Sequence, residues 1–474
     1  MISLEEQVSR FKGNQKLRNW FVAILLAGTF TMSISQSSLS TAYPTLMRYF
    51  GVSATTIQWL TTGFMLIMCI MMPISPWLLN NVPFKRLFQA VLLLFDVGTL
   101  IILVAPSFPI MMLGRILEAV GVGILFPAYQ SVMLTITPAE SRGATMGVAG
   151  LVMGSALAIG PIISGIVLKF TTWQGLFVVF ALIITLVFAL SFRFISNVMT
   201  LKPTQLDFIS VISSVGLIGL LFVINQLGKP GVNWPAQFGL LAVSLLMLVY
   251  FVYRQFHTTK PMLELRVLKT FNYDLAVLLT GFSYIALIVT TIIFPLYYQG
   301  VLHLSPFASG MALVPGAVLL SLLNPVTGKL ADRIGFKRVL LIGMGMITMG
   351  WGILFVCSRS LNLIAMMGIA MLIEGGNAFV MMPATTLGAN SLADNLIAHG
   401  TAVITTVRQI LGSLGVAIAT IILTTVTQNQ VVKGYRHQVA TQTGYRAVFF
   451  TFFLVAIFGL VMAVLIKNTK KTTK

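Results

Sequence analysis

The sequence predicts an all-α polytopic membrane protein with fourteen spanning helices. Three observations predict it. Hydrophobic residues make up 57% of the 474-residue chain and charged residues only 9%, against about 25% charge in a soluble domain. Apolar runs of helix-spanning length recur along the whole chain, with short loops between them. Lys and Arg collect in alternate loops, as the positive-inside rule requires. A chain of this composition has no polar stretch long enough for a soluble domain, and intrinsic disorder is excluded by the same figures.

The first six runs lie at about 19–43, 56–79, 87–105, 108–134, 143–168 and 173–195. Two more follow at about 207–227 and 236–253, and the last six at about 273–298, 307–328, 338–357, 362–385, 396–425 and 445–466. Each approaches the roughly 20 apolar residues a bilayer-spanning helix needs. All should be helical, because an isolated strand cannot satisfy its backbone in lipid, and the absence of strict alternation argues against a transmembrane barrel. An even number of spans places both termini on one side. With that side cytoplasmic, 21 of the 30 Lys and Arg residues fall in tails and inner loops, 7 fall outside, and Arg115 and Arg408 lie within spans. This distribution accounts for the formal net charge of +19 without nucleic acid. Residues 1–18 read as a retained, basic cytoplasmic tail, since the apolar run after them is too long for a signal-peptide core.

The connectors 196–206 and 254–270 are the longest on the inner side and flank the middle pair of spans. They divide the chain into an N-terminal six-helix bundle (1–200), two additional linker helices (201–262) and a C-terminal six-helix bundle (263–474). A basic turn after the second span, Asn80-Asn-Val-Pro-Phe-Lys-Arg86, is echoed after the tenth by Gly328-Lys-Leu-Ala-Asp332-Arg333-Ile-Gly335-Phe-Lys337-Arg338. Matching features in two halves are what repeat-built transporters show.

The chemistry available is limited by eleven acidic residues, of which only Asp96, Glu118 and Glu374 lie well inside apolar runs. A carboxylate in lipid is costly unless paired, protonated or wet, so each is a functional candidate. Spans 3 and 4 turn near Pro106-Ser107, so Asp96, Arg115 and Glu118 sit at a similar depth, roughly 14–18 Å below the turn at 1.5 Å per residue. Arg115 and Glu118 are i,i+3 neighbours. The three residues are expected to form a buried proton-coupling network. Glu374, flanked by Gly375 and Gly376 with no basic residue near in sequence, is a second coupling candidate. In span 1, Thr29, Ser33, Gln36, Ser40 and Tyr43 recur on one helical face and are expected to line an aqueous cavity. Phe294, Tyr297 and Tyr298 near the end of span 9 are either interface anchors or cavity lining, and with Met381 in span 12 they are candidate substrate contacts. His257, His303, His399 and His437 lie in loops or near span ends with no HExxH spacing, so metalloenzyme chemistry is not expected. Neither is a nucleotide-driven pump, because no phosphate-binding loop is present.

The stretch 328–338 resembles the inner-loop signature of the major facilitator superfamily. Gly160-Pro161-Ile-Ile-Ser164-Gly165 in span 5 is similar to the antiporter motif of its exporters, and Gly114-Arg115-Ile-Leu-Glu118 to its membrane-embedded arginine motif. The fourteen spans, Pro295-Leu-Tyr-Tyr-Gln299-Gly300 and Arg408-Gln-Ile-Leu-Gly412-Ser-Leu-Gly415 resemble its fourteen-span drug:H+ antiporter branch. The resemblance implies the major facilitator fold: two six-helix bundles plus two extra central helices. It implies a bacterial cytoplasmic-membrane protein that exports amphipathic drugs against protons by alternating access, as a monomer without cofactor. Few charged residues in the spans favour apolar or weakly cationic substrates. Export of a single endogenous metabolite or lipid is the alternative on the same fold. By the resemblance, Gly160, Pro161, Asp332, Arg333, Arg338 and Arg408 act in gating or structure, the inner-loop charges through ion pairs between helices that change with conformation. The chain departs from the branch at Ser35, where an Asp is common, at Glu118, where Gln is usual, and in the first inner loop, which lacks the acidic residue and the Gly.

Overall fold

A computed structural model describes residues 14–203, 205–226, 231–258, 261–358 and 361–467. The expected tail thus lies outside the described residues up to position 13, and the side chains of Ser40 and Pro161 are likewise outside them. The described residues form only helices and their connections. The first six long helices are α1 (Gln15–Phe50), α2 (Trp59–Asn81), α3 (Phe84–Leu103), α4 (Phe108–Thr135), α5 (Arg142–Phe170) and α6 (Trp173–Phe194). A middle pair follows: α7, in two segments (Phe208–Ser214 and Gly216–Gln226), and α8 (Trp234–His257). The last six are α9 (Phe271–Gly300), α10 (Val314–Ile334), α11 (Phe336–Val356), α12 (Leu363–Asn390), α13 (Ile397–Val432) and α14 (His437–Leu465). Twelve of the described helices are long and apolar enough to cross a membrane.

Local chemistry explains where these helices depart from the apolar runs. α1 continues past position 43 to Phe50 and stops at Gly51, whose φ of 63° places it in the left-handed region open to glycine. α7 breaks at Val215 because its serines serve its own backbone: Ser213 Oγ donates to Ile209 O and Ser214 Oγ to Val211 O, a competition that loosens helices. α10 begins at Val314, after a short separate helix at Pro306–Met311. It ends at Gly335, with φ 92°, where the chain reverses into α11.

The packing pattern repeats between the first and last six helices. α1 packs on α5, α2 on α4, and α3 on α4 and α6; likewise α9 packs on α13, α10 on α12, and α11 on α12 and α14. Two large hydrophobic clusters follow this division. One is built around Phe21, Phe84, Phe88, Phe95 and Leu125, the other around Phe294, Tyr298, Trp351, Phe449 and Phe452. Lipid gives no hydrophobic drive between helices, so close backbone approach carries much of the packing. At α3–α4 a Cβ on Gly98 would stand 2.7 Å from Gly114 O. At α11–α12 a Cβ on Gly343 would stand 2.7 Å from Gly376 O. The two halves meet through α5 against α10 and α12, and through α13 against α2 and α4. α7 lies on α2 and α13, and α8 lies on α7.

Candidate functional site

α4 carries the first buried charge centre. Arg115 Nη1 donates to Glu118 Oε2 at 2.5 Å, and both residues are 0% exposed. Thr99 Oγ1, from α3, donates to the other carboxylate oxygen at 2.8 Å. Arg115 also donates from Nε to Leu60 O (3.4 Å) and from Nη1 to Ser35 Oγ (3.5 Å), and its guanidinium lies 4.1 Å from the Phe64 ring centroid. Its Nη2 has no hydrogen-bond partner among the described residues. Helices α1, α2 and α3 therefore converge on one ion pair in α4. Gly98 permits this, since its ideal Cβ would come within 3.1 Å of Glu118 Cγ. Ser35, at the position where the antiporter branch commonly has an acid, reaches the same guanidinium with a neutral hydroxyl.

Asp96 does not join this pair. Similar depth is not shared direction: Asp96 faces α6, where Thr185 Oγ1 donates to its Oδ2 at 2.8 Å, and Thr99, three residues on, takes the place in the cluster that the sequence suggested for Asp96. The second buried carboxylate, Glu374, is 6% exposed. Asn377 Nδ2 donates to its Oε2 (3.2 Å), and Asn377 Oδ1 in turn accepts from Ser283 Oγ on α9 (2.8 Å). Gly316 of α10 packs on its Cγ. Among the described residues Glu374 has no cationic partner. The repeat pairs α4 with α12, and the two glutamates sit ten and eleven residues from the starts of those helices. One is held by an arginine, the other by an amide.

The polar stripe of α1 divides its tasks. Ser33 Oγ donates to Thr29 O and contacts Met153 Sδ of α5, and Ser37 Oγ donates to Ala156 O. These contacts seal α1 to α5. Tyr43 hydrogen-bonds Thr61 of α2. Gln36 is half-buried and keeps its amide free of hydrogen bonds among the described residues. The α9 aromatics require a correction. Phe294, Tyr297 and Tyr298 are 0–2% exposed and pack with Trp351, Tyr445 and Phe449 of α11 and α14. They are core of the second half, because α9 turns its aromatic face inward rather than toward a cavity. Met381 is half-buried on α12 beside Leu287, Leu320 and Ala378.

The halves lock together at the end of the bundle where α1 begins and α14 ends, here termed the basic end. Asp332 of α10 accepts from Gly143 N at Oδ1 (3.0 Å) and from Ala144 N at Oδ2 (2.8 Å). A carboxylate from one half thus caps the α5 N-terminus of the other, where the helix dipole favours negative charge. Arg142, 7% exposed, donates to Asp394 Oδ1 (2.9 Å) and Asn390 Oδ1 (3.1 Å) in the α12–α13 turn. Above this latch, Gly143, Gly147, Gly150 and Gly154 present one face of α5 to α10. A Cβ on Gly147 would lie 2.5 Å from Asn324 O, and one on Gly154 would lie 2.8 Å from Ser321 Oγ. A Cβ on Gly165, further along α5, would meet no neighbouring element within 4 Å among the described residues. Gly160 approaches α1 at Ser37 and Ser38. Arg333 and Arg338 are exposed and make no ion pair among the described residues in this state. The role of Arg142 and Asp394 went unseen in the sequence, where both look like loop charges. The 4-3-4 spacing of small residues in span 5 was the available signal for the α5 seam.

Buried carboxylates on equivalent helices, two repeated helix groups and a seam of interlocking glycines are features of repeat-built membrane transporters. The comparisons agree. A profile of the Major Facilitator Superfamily matches residues 25–416. The chain is 36% identical to the MFS-type transporter YcnB of Bacillus subtilis, covering 96% of each chain. It is 32% identical to the lincomycin resistance protein LmrB of Bacillus subtilis, covering 98% of this chain and 99% of that protein. The solved structure of the proton:xylose symporter XylE superposes with a TM-score of 0.66 at 13% identity, covering 96% of this chain and 97% of that one. The chain belongs to the major facilitator superfamily, and is accordingly a multi-pass membrane transporter and not an enzyme.

Proposed function

We propose that the chain is a proton-coupled antiporter that exports amphipathic drugs across a bacterial cytoplasmic membrane by alternating access. The basic end faces the cytoplasm with both termini inside, and the transporter works as a monomer without cofactor. The moving bodies are residues 1–200 and 263–474, with 201–262 bridging them along α2 and α13. Resistance-named relatives such as LmrB support drug export. The observation that carries proton coupling is the fully buried Arg115–Glu118–Thr99 cluster. A carboxylate there can exchange its arginine for a proton when the surrounding helices move. One proton crossing 100 mV supplies about 2.3 kcal/mol, enough for more than a tenfold substrate gradient.

In this reading the structure represents the state closed to the cytoplasm, held by Asp332 on the α5 N-terminus and by Arg142 on the α12–α13 turn. Glu374 supplies a second protonatable position. Gln36 and Met381, both half-buried, are the side chains that would contact substrate. The test is dye transport in proteoliposomes under an imposed pH gradient. Wild type should concentrate rhodamine 123 only when the gradient is present, and Glu118→Gln should abolish the response. Transport indifferent to the gradient would refute the coupling.

A further inference from the structure

Arg408 sits on α13, the helix through which the second half meets α2 and α4, about 17 Å from the basic end at 1.5 Å per residue. It is 6% exposed, and its Nε and Nη1 are buried without a hydrogen-bond partner among the described residues. No described carboxylate pairs with it. The other two buried arginines of the described residues are compensated, Arg115 by Glu118 and Arg142 by Asp394; Asp96 faces α6, and Glu374 lies against α10. Two uncharged aromatics, Tyr284 and Tyr129, lie near Arg408. Its guanidinium stands 5.2 Å from the Tyr284 ring centroid. Tyr284 is itself fixed, donating to Gln409 Oε1 at 3.1 Å and packing where a Cβ on Gly412 would fall 2.6 Å from its ring. Tyr129 of α4, from the other half, lies within electrostatic reach.

An uncompensated guanidinium in a low-dielectric interior is costly, and a cation–π contact offsets only part of that cost. Its planar fork is shaped for a carboxylate or phosphate. We propose that Arg408 is an anion-recognition residue at the junction of the two halves, and that transported molecules include amphipaths with an acidic group set against an aromatic ring. The acid would pair with Nε and Nη1, and the ring would stack beside Tyr284. This extends the drug-export reading, on which it rests, from apolar and weakly cationic molecules to organic anions.

The experiment uses the full chain in nanodiscs of zwitterionic lipid and two xanthene dyes of opposite charge, fluorescein and rhodamine 123, followed by fluorescence polarisation. Wild type should bind both. Arg408→Gln should weaken fluorescein binding about tenfold or more, the effect of losing a charge-assisted hydrogen bond, while rhodamine 123 changes less than about threefold. Arg408→Lys, which keeps the charge, should retain most of the fluorescein affinity. Benzoate should displace fluorescein from wild type and leave rhodamine 123 in place, which decides the matter if Arg408→Gln does not fold. Wild type that fails to bind fluorescein, or equal losses of both dyes in a folded Arg408→Gln protein, or benzoate that displaces neither dye, would overturn the proposal. Rhodamine 123 transport by wild type would leave the export reading standing in each of those cases.

Discussion

Arg115 Nη1 and Glu118 Oε2 meet at 2.5 Å inside α4, and neither residue reaches solvent. Removing one partner of such a pair strands the other, at a cost of about 3–5 kcal/mol, whereas replacing both with apolar residues is often neutral. Glu118→Gln should therefore lower the melting temperature in detergent and abolish pH-driven transport. The double replacement Arg115→Met with Glu118→Met should restore the melting temperature and leave transport dead. A double variant that transported normally would show the pair to be a static strut. Thr99→Ala, which removes one donor to the carboxylate, should cost about 1–3 kcal/mol and alter the pH midpoint of transport more than its maximal rate.

Glu374 is expected to respond in the opposite way, because its environment differs. Among the described residues it is held by Asn377 alone and has no cation to strand. Glu374→Gln keeps the shape, and the amide can still bond Asn377, so the melting temperature should stay within about a degree or rise, as relief of a buried acid is stabilising. Transport should lose proton dependence in part. Paired melting and proteoliposome measurements on the two glutamine variants separate the positions. Equal destabilisation would mean that Glu374 has an ionic partner in the working protein.

How much of this was legible beforehand depended on whether one residue or several decide a feature. The helices were legible because each is set by its own run of apolar residues, and the Arg115–Glu118 pair because both members lie one turn apart on one helix. That Asp96 stands apart from the pair was not legible, because depth follows from counting, whereas direction follows from which neighbour α3 packs against, and that is α6 at position 96 and α4 at position 99. The α9 aromatics were misplaced for a similar reason. Phe294, Tyr297 and Tyr298 look alike whether they face lipid, a cavity or Trp351, and only the docking of α11 and α14 decides. Arg142 and Asp394 stand about 250 residues apart in sequence, beyond the reach of any local pattern.

The latch at the basic end predicts a shift in conformational balance. Asp332→Asn keeps the size of the side chain but leaves one acceptor for two backbone amides and removes the charge at the α5 N-terminus. A lost cap is worth about 0.5–2 kcal/mol, so the closed population should fall by about two- to thirtyfold relative to the open one. Spin labels at the exposed positions Glu140 and Lys329, in a Cys357→Ser background, would report it as a longer distance component. Unchanged distance distributions would remove Asp332 from the gating mechanism.

The α5 seam should be intolerant of bulk. A Cβ on Gly147 would already press on the Asn324 carbonyl at 2.5 Å, and backbone cannot move aside as a side chain can. Gly147→Val should cost about 1–3 kcal/mol by overpacking and hold the basic end apart. The same spin-label pair should then show the open distance predominantly, with transport lost although the protein still inserts. At Gly165, where an added Cβ would meet no neighbouring element of the described residues within 4 Å, the same substitution should leave both distance and transport near wild type. Equivalent behaviour at the two sites would mean that the glycines serve helix flexibility rather than contact.

The middle pair of helices offers a prediction that depends on pH. Asp207, at the start of α7, receives Arg254 Nε at 2.6 Å and Nη2 at 2.9 Å from the end of α8, and also Ser210 Oγ at 2.6 Å. The Arg254 hydrogen bonds hold its carboxyl below the ordinary carboxylate range, with burial opposing them and Ser210 assisting. A carboxyl whose folded-state pKa is depressed contributes stability that is present above its unfolded value, about 3.9, and is lost as pH falls through the folded value. Docking of α7 against α8 should therefore be constant from pH 8 to about pH 5 and weaken below about pH 4. Hydrogen exchange over residues 208–226 and 234–257 would detect the loosening. In Asp207→Asn the loosening should already be present at neutral pH, and the acid step should vanish. If the acid step survived in Asp207→Asn, the titrating group would lie elsewhere, and the Asp207–Arg254 pair would not be what anchors the middle helices.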